Sequence, residues 1–267
     1  MINLDKKIIA KNFSHAASSY DISASIQRKA SQELNCILQN NSVFQEYIAK
    51  RTGIRILDLG SGTGFITKDF LAKPFQQNTE IFEIDIAFEM LKSWRNRPKN
   101  VFAIQGDFEE ISFKKHSFDL LLSSFSLQWI CDFTNNFLRF SSFLKPGGVF
   151  AFCLPLERSL NELQLLSKES GCDFHFNPFP AENNINRALA NAGFATIFFE
   201  QIIMEEAFQT RQDAIKSLKK IGAGYSDKNI KLLTKTQLSN FNNYDITAHP
   251  PKTSWVVGFF IAHLLST

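Results

Sequence analysis

The chain has 267 residues, of which 44% are hydrophobic, and it carries a formal net charge of +3 at pH 7. This length and apolar content are sufficient for one large α/β domain with a full core, and they exclude global disorder. The small positive charge does not by itself indicate a nucleic-acid-binding protein. It is compatible with an acidic partner protein.

The cysteine spacing and the length of the apolar segments argue against a disulfide framework, a metal site and a membrane span. The four cysteines, Cys36, Cys131, Cys153 and Cys172, form no C-x-x-C pair, so we expect reduced thiols and no bound metal. The N-terminal sequence lacks the apolar core of a signal peptide. The longest apolar run, residues 255–265, has about half the length that a helix needs to cross a bilayer. We therefore expect a cytoplasmic protein with no membrane or nucleic-acid partner.

Residues 1–50 carry apolar side chains at helical spacing, which predicts two amphipathic helices. The repeating positions are Ile8, Ile9, Phe13, Ala16 and Ala17 in the first helix and Ile22, Ile26, Ala30, Leu34, Ile37 and Leu38 in the second. We place Tyr20 at a polar break between them. Tyr20 either packs at the helix junction with its hydroxyl in water, or belongs to an arm that closes over a ligand site.

The stretch IRILDLGSGTGFIT, residues 54–67, predicts a buried strand, a glycine turn and the start of a helix. Asp58 lies near the end of the strand, and Gly60, Gly62 and Gly64 follow at every second position. Such a unit opens the ligand crevice of a doubly wound sheet, where glycines let the backbone approach a ligand. The spacing is neither the dinucleotide-binding G-x-G-x-x-G nor a P-loop. An ordinary tight turn is the alternative.

Strands and helices alternate through the rest of the chain, which predicts a Rossmann-like α/β sheet of seven strands, mostly parallel, with an antiparallel edge. The further strands are residues 79–86, 101–105, 118–123, 149–155, 194–205 and 253–264, and the helices are 134–144, 159–166, 182–192 and 210–242. The turn Lys145-Pro146-Gly147-Gly148 precedes the fifth strand. We expect a single domain with an arm (1–50), a ligand-binding core (51–155), lid segments (156–184 and 207–243) and the end of the sheet (185–206 and 244–267).

Acidic residues follow the second and third predicted strands. Asp85 lies twenty-one residues beyond Gly64, a separation that suits an acceptor for ribose hydroxyls. It could instead cap the next helix, and Glu83 is a competing ribose ligand. Met90 belongs either to an adenine pocket or to the core, and Asp107 is either a ligand contact or a turn residue.

Two later segments suggest a lid and a docking surface. The aromatic loop 171–180 is long enough to be functional, and its His175 is either a general base or a packing residue. The region 210–242 is basic, with Arg211, Lys216, Lys219 and Lys220 near its start. It forms either a solvated helix face or a docking face for an acidic carrier.

The acid and glycine loop of 58–64 resemble motif I of the class I S-adenosylmethionine methyltransferases, and Gly106-Asp107-Phe108 resembles the segment that lies on adenine in that family. The end of the fourth strand, residues 123–126, lacks the N/D-P-P-Y/F motif of amide N-methyltransferases. The resemblance implies these ligands of S-adenosylmethionine and its product S-adenosylhomocysteine: Asp58, Gly60, Ser61, Gly62, Gly64, Asp85, Met90, Asp107, Phe108, Ser124 and Phe125.

Nearly the whole chain resembles the malonyl-[acyl-carrier protein] O-methyltransferase family of biotin synthesis. The A-A-x-x-Y segment ending at Tyr20 and the SLKKIGA segment (217–223) are its most specific parts. The resemblance implies that Tyr20 contacts S-adenosylmethionine near the transferred methyl group and that the partner is a malonyl-loaded acyl carrier protein. Two departures are Ser61, where Cys is frequent, and residues 173–177, which follow the family pattern only loosely.

The implied acceptor is a carboxylate, which needs no general base but does need a group to hold it. The candidate cations are Arg28, Arg158, Lys219 and Lys220. Three other functions stay open: a regulator or assembly factor that binds S-adenosylmethionine, a relative of the arginine-hydroxylating complex I assembly factors, and a small-molecule carboxylate methyltransferase.

Overall fold

The computed structural model of the chain describes residues 5–72, 78–169, 178–222 and 251–265. Its strands are β1 (Arg55–Leu59), β2 (Glu80–Asp85), β3 (Val101–Gln105), β4 (Phe118–Ser124), β5 (Leu144–Pro155), β6 (Phe194–Ala207) and β7 (Lys252–Leu264). They form one sheet in the order β3-β2-β1-β4-β5-β7-β6. Strands β1 to β5 pair in parallel, and β7 runs antiparallel to both β5 and β6. The predicted seven-stranded sheet with an antiparallel edge pair is confirmed, with β6 outermost.

The central strands are apolar on both faces because helices cover both sides of the sheet. Ile56, Leu57 and Leu59 of β1 have no solvent exposure, and neither have Leu120 and Leu122 of β4. Full burial of one such side chain stabilises the fold by about 1.5–3 kcal/mol. These two strands therefore fix the centre of the sheet and the loops at their carboxyl ends.

The N-terminal region contains one helix more than the sequence pattern predicted. The helices of the chain are α1 (Lys6–Ser23), α2 (Ser25–Asn40), α3 (Ser42–Ala49), α4 (Phe65–Leu71), α5 (Phe88–Ser93), α6 (Phe133–Phe143), α7 (Asn161–Glu169), α8 (Glu182–Asn191) and α9 (Arg211–Lys220). Asn41 begins α3 by accepting a hydrogen bond from the N–H of Phe44 at 3.0 Å, as an N-cap does. No helix within the described ranges combines the length and apolar content required to cross a bilayer.

The placement of Tyr20 at a polar break is wrong, because α1 continues through Tyr20 and ends at Ser23. The break lies at Ala24, whose backbone leaves the helical region (φ −94°, ψ 52°) while its N–H bonds to the carbonyl of Tyr20. The side chain of Tyr20 therefore projects from a regular helical turn.

Two further predictions change in detail. Residues 145–148 belong to β5, which begins at Leu144 and shifts register against β4 at Phe118 and Leu120. Helix α9 covers the beginning of the basic region. Residues 223–250 lie outside the described part of the chain, and so do residues 170–177, which include Cys172 and His175.

Candidate active site

A cavity of about 800 Å³ lies at the carboxyl ends of β1, β2 and β4, where open α/β sheets bind their ligands. The predicted ligand residues that line it are Tyr20, Asp58, Gly60, Ser61, Gly62, Asp85, Met90, Asp107, Phe108, Ser124 and Phe125. The structure therefore brings together all of the predicted cofactor residues except Gly64.

The three glycines of the loop serve different purposes. A Cβ on Gly60 would lie 2.3 Å from the Cβ of Ser126, and one on Gly64 would lie 2.6 Å from the Trp94 ring. Gly62 has φ +58°, and no atom of the described chain lies within 4 Å of the position its Cβ would take. Gly60 and Gly64 are thus required by packing, whereas Gly62 presents bare backbone to the cavity.

Asp85 holds the glycine loop in place. Its carboxylate accepts hydrogen bonds from the N–H of Gly62 at 2.8 Å and of Ala87 at 2.7 Å. Burial raises the pKa of Asp85 to about 6, although these two hydrogen bonds oppose the increase. Each carboxylate oxygen can accept a second hydrogen bond, so the backbone contacts leave capacity for ribose hydroxyls. The competing candidate Glu83 is buried, is paired with Arg97 at 2.7 Å, and does not line the cavity.

Asp58 provides an acceptor that the protein itself leaves unused. Its Oδ2 accepts a hydrogen bond from the hydroxyl of Thr67 at 2.9 Å, and its buried Oδ1 has no partner in the described chain. Burial, with the nearby charge of Glu83, raises the pKa of Asp58 well above its usual value. A cationic ligand group would satisfy Oδ1 and favour the ionised carboxylate. This orphaned oxygen and the open space at Gly62 fit the amino-acid end of S-adenosylmethionine.

The far side of the cavity is formed by the loop after β3. Asp107 accepts a hydrogen bond from the N–H of Glu109 at 2.9 Å, as a turn-forming residue does, and it also lines the cavity with Phe108 and Met90. Lys6 of α1 reaches this loop through an ion pair with Glu109. This ion pair fixes helix α1 in position across the cavity.

Tyr20 enters the cavity from α1. Its ring stacks on Phe65 with centroids 5.8 Å apart. Burial, with the charges of Asp85 and Asp21, raises the pKa of Tyr20 further above its usual value. The hydroxyl therefore stays protonated near neutral pH and acts as a hydrogen-bond donor. Its contact with a ligand stays a prediction.

A second cavity of about 630 Å³ adjoins the first. The two share part of their walls, namely Phe13, Tyr20, Gln27, Phe125 and Trp129. The rest of the second wall is mostly apolar and consists of Gln128, Leu160, Pro178, Phe179, Leu218, Ile221 and Trp255. No lysine, arginine, histidine or carboxylate side chain of the described ranges lines it.

Phe125 stands between the two cavities in a strained backbone conformation. Its φ is +54°, a region that bulky residues rarely occupy and that is common at functional sites. Its N–H bonds to the carbonyl of Cys153 at 2.9 Å, and its ring packs against Trp255 with centroids 5.8 Å apart. These contacts fix the wall that separates the cavities.

The predicted cations do not line either cavity. Arg28 lies over the ring of Phe65 at 4.4 Å and donates to the carbonyl of Asp21. Arg158 is exposed, with φ +72°. His175 falls among the residues that the structure does not describe, so its role stays a prediction.

Lys219 and Lys220 are exposed at the C-terminal end of α9. They lie next in sequence to Leu218 and Ile221, which line the second cavity. A positive surface therefore adjoins the wall of this cavity, although the two lysines do not enter it.

Phe13 and Gln27 line both cavities, although neither was predicted to be a site residue. Ile9, Phe13 and Tyr20 are separated by four and seven residues, so a helix continued to Tyr20 would have placed all three on one face. Gln27 is only 7% exposed and follows the core residue Ile26. A polar residue at an inward-facing helical position was the available signal.

Comparison with known proteins identifies the family of this chain. Residues 57–152 match the family model of a methyltransferase domain. A malonyl-[acyl-carrier protein] O-methyltransferase 2 from Coxiella burnetii is 32% identical over 267 residues, and the alignment covers 98% of each protein. A malonyl-[acyl-carrier protein] O-methyltransferase from Buchnera aphidicola is 30% identical over 88% of this chain and 89% of its own length.

A solved structure supports the fold. An N-methyltransferase from Haemonchus contortus, in complex with S-adenosylhomocysteine, has a TM-score of 0.52 at 20% identity and matches 85% of this chain and 53% of its own. Identity at this level shows the shared fold alone. The sheet, the two sequence relatives and the domain match agree, and the chain therefore belongs to the malonyl-[acyl-carrier protein] O-methyltransferase family of S-adenosylmethionine-dependent O-methyltransferases.

Proposed function

We propose that this enzyme methylates the free carboxylate of a malonyl thioester carried by acyl carrier protein. The product is the methyl ester that primes pimeloyl synthesis for biotin. The observation that carries the proposal is the pair of adjoining cavities, one with polar groups for a charged nucleotide-like ligand and one with apolar walls for an acyl chain. The names of the two sequence relatives support malonyl carrier protein as the acceptor.

The first cavity offers matching groups to each part of S-adenosylmethionine. Asp58 Oδ1 would accept from its ammonium group, Asp85 from its ribose hydroxyls, and Asp107 with Phe108 would face its adenine. When bound there, S-adenosylmethionine supplies a methyl group made electrophilic by a positively charged sulfur. The Haemonchus contortus neighbour, whose structure contains S-adenosylhomocysteine, shares the fold in which this cavity lies.

The reaction needs no proton transfer. A malonyl carboxyl group is ionised near neutral pH, so its oxygen can attack the methyl carbon directly. As the oxygen–carbon bond forms, the carbon–sulfur bond breaks, and the electron pair of the broken bond stays on sulfur. The products are the methyl ester and S-adenosylhomocysteine. No histidine of the described ranges lines either cavity, and Tyr20 stays protonated, so the residues on these walls bind and orient the acceptor.

Two effects of the chain lower the barrier. Alignment of the acceptor oxygen with the methyl group contributes roughly 7–11 kcal/mol at best. Exclusion of water strengthens the carboxylate as a nucleophile. The aromatic walls, including Phe13, Phe125 and Trp255, and helix α1 across the opening suit both purposes.

The carrier would dock beside the second cavity, where Lys219 and Lys220 present positive charge to an acidic partner. The double variant K219E/K220E is expected to bind the malonyl carrier about tenfold more weakly at low salt, because surface pairs each contribute up to about 1 kcal/mol. The difference should shrink as added salt screens the charges. Affinity for S-adenosylhomocysteine should not change.

A matched control for this variant exists at the opposite end of the sheet. Lys114 and Lys115 are exposed and precede the amino end of β4, so K114E/K115E changes the net charge equally without touching the proposed surface. Equal carrier affinity in the two double variants, measured by titration calorimetry, would contradict docking at Lys219 and Lys220.

The reaction itself is tested by incubating the enzyme with labelled S-adenosylmethionine and four acceptor conditions: malonyl carrier protein, malonyl-CoA, acetyl carrier protein and no acceptor. We expect base-labile label on the malonyl acceptors, and most of it on the carrier. Tight binding of S-adenosylmethionine with no label on any acceptor would refute the proposed reaction.

A further inference from the structure

Gln27 is a polar residue in the buried part of the arm, and it lies where the two cavities meet. It is 7% exposed and lines both cavities. No hydrogen bond joins its amide, or the hydroxyl of the half-buried Tyr20, to another residue in the part of the chain that the structure describes, and neither group belongs to the fully enclosed polar atoms without a partner. The polar ends of both side chains open onto the cavities, where a few polar groups orient a ligand, so a ligand that accepts hydrogen bonds is a suitable partner for both.

The start of helix α2 adds a second feature of an anion site. Gln27 lies in the first turn of this 16-residue helix, and the preceding Ala24 supplies no side-chain cap. The first N–H groups of a helix have no intrahelical partners, and the positive end of the helix dipole lies beside them. The hydroxyl of Ser25 does not cap these N–H groups, because it donates a hydrogen bond to the carboxylate of Glu206 at 2.7 Å.

Among the residues that the structure describes, no free cation competes for this position. Lys6 is the charged donor on the first wall, and it is already paired with Glu109. The described wall of the second cavity carries no cationic side chain. An anion placed between the cavities would therefore meet neutral donors. The positive end of the α2 dipole and a positive methyl donor in the first cavity would stabilise its charge, against the nearby carboxylates of Asp85 and Glu206.

We infer that Gln27, at the uncapped start of α2, is the residue that recognises the free carboxylate of the acceptor, with the hydroxyl of Tyr20 as a second donor. This inference rests on the proposed function and deepens it. Neutral donors orient a carboxylate without pairing its charge, so the oxygen keeps its nucleophilicity. They also explain how a carboxylate would be selected over the methyl group of an acetyl thioester.

The test compares the variants Gln27→Leu and Gln27→Glu with the wild-type enzyme. Loss of one hydrogen bond to a charged group should raise KM for malonyl carrier protein about ten- to a hundredfold, and the added carboxylate of Gln27→Glu should raise it further. Gln39→Leu is the matched control, because Gln39 lies near the other end of α2 and donates to Asn35 at 3.1 Å. It should keep the wild-type KM.

A binding measurement separates recognition from turnover. In the presence of S-adenosylhomocysteine, the wild-type enzyme should bind malonyl carrier protein more tightly than acetyl carrier protein, and Gln27→Leu should lose this preference. Affinity for S-adenosylhomocysteine and the melting temperature show which variants are folded. If a variant fails to fold, it is replaced by Gln27→Asn, whose side chain is one methylene shorter.

The outcomes distinguish the two proposals. A folded Gln27→Leu that keeps the wild-type KM and the preference for malonyl would overturn the role of Gln27. A wild-type enzyme that methylates no malonyl thioester would instead overturn the proposed function.

Discussion

The space in front of Gly62 gives a sharp test of the cofactor cavity. In the variant Gly62→Ala the new methyl group would meet no atom of the described residues within 4 Å, so these residues should not clash with it in the free enzyme. A non-glycine residue at φ +58° costs about 1–2 kcal/mol of backbone strain. For a chain of this size that corresponds to a melting temperature lower by about 2–8 °C.

Gly193 supplies the matched control. It has φ +82°, and a Cβ there would lie 3.8 Å from Leu264, an ordinary contact. Gly193→Ala should therefore suffer similar backbone strain, but Gly193 does not line the cavity. The two variants differ in whether the added methyl group occupies ligand space.

The assay is titration calorimetry with S-adenosylhomocysteine, alongside thermal unfolding. Gly193→Ala should bind with the wild-type Kd, and Gly62→Ala should bind at least tenfold more weakly, a loss of about 1.4 kcal/mol. If Gly62→Ala keeps the wild-type Kd, the ligand does not pass against this loop, and the assignment of the first cavity is wrong.

Four further predictions concern charged and polar groups in and around the site. Arg97→Met removes the ion-pair partner of the buried Glu83 carboxylate and should lower the free energy of unfolding by about 3–5 kcal/mol, measured by denaturant titration. The loss should be larger at pH 8 than at pH 5. Burial raises the pKa of Glu83, so at the lower pH the carboxyl group can take up a proton and lose its charge. Asp85 has a pKa of about 6, so affinity for S-adenosylhomocysteine should fall below about pH 6 in the wild-type enzyme and show no such fall in Asp85→Asn. Because the folded pKa of Asp85 exceeds its unfolded value, this residue makes stability fall as pH rises from about 4 to 6, a slope that Asp85→Asn should remove. Tyr20→Phe should lower kcat/KM about tenfold or more without a new pH dependence, since the hydroxyl donates a hydrogen bond and is not a base.

The sheet and most of the first cavity followed from local sequence pattern. Apolar strands such as β1 and β4 are buried on both faces, so their composition alone marks them. Asp58, the glycine loop and Asp85 stand at strand ends, and parallel strands bring their carboxyl ends to one edge of the sheet. Spacing along the chain therefore predicted proximity in space.

The N-terminal arm was less predictable because its structure depends on contacts with distant elements. The polar residues around Tyr20 resemble a helix break, yet α1 contacts α5 and α9, and such packing supplies most of the stability of a helix. Burial of Gln27 likewise depends on the cavities that other elements enclose. The inward-facing position of Gln27 in its helix signals burial, but no local pattern shows that its side chain lines two cavities.

The most direct test of the account is a crystal structure of the enzyme with S-adenosylhomocysteine and a malonyl-pantetheine analogue that cannot be hydrolysed. We predict S-adenosylhomocysteine in the first cavity, with its ribose at Asp85. The acyl chain should lie in the second cavity, with its carboxylate bound by Gln27 and Tyr20 beside the sulfur. An acyl chain bound outside the second cavity, or a carboxylate turned away from the sulfur, would contradict it.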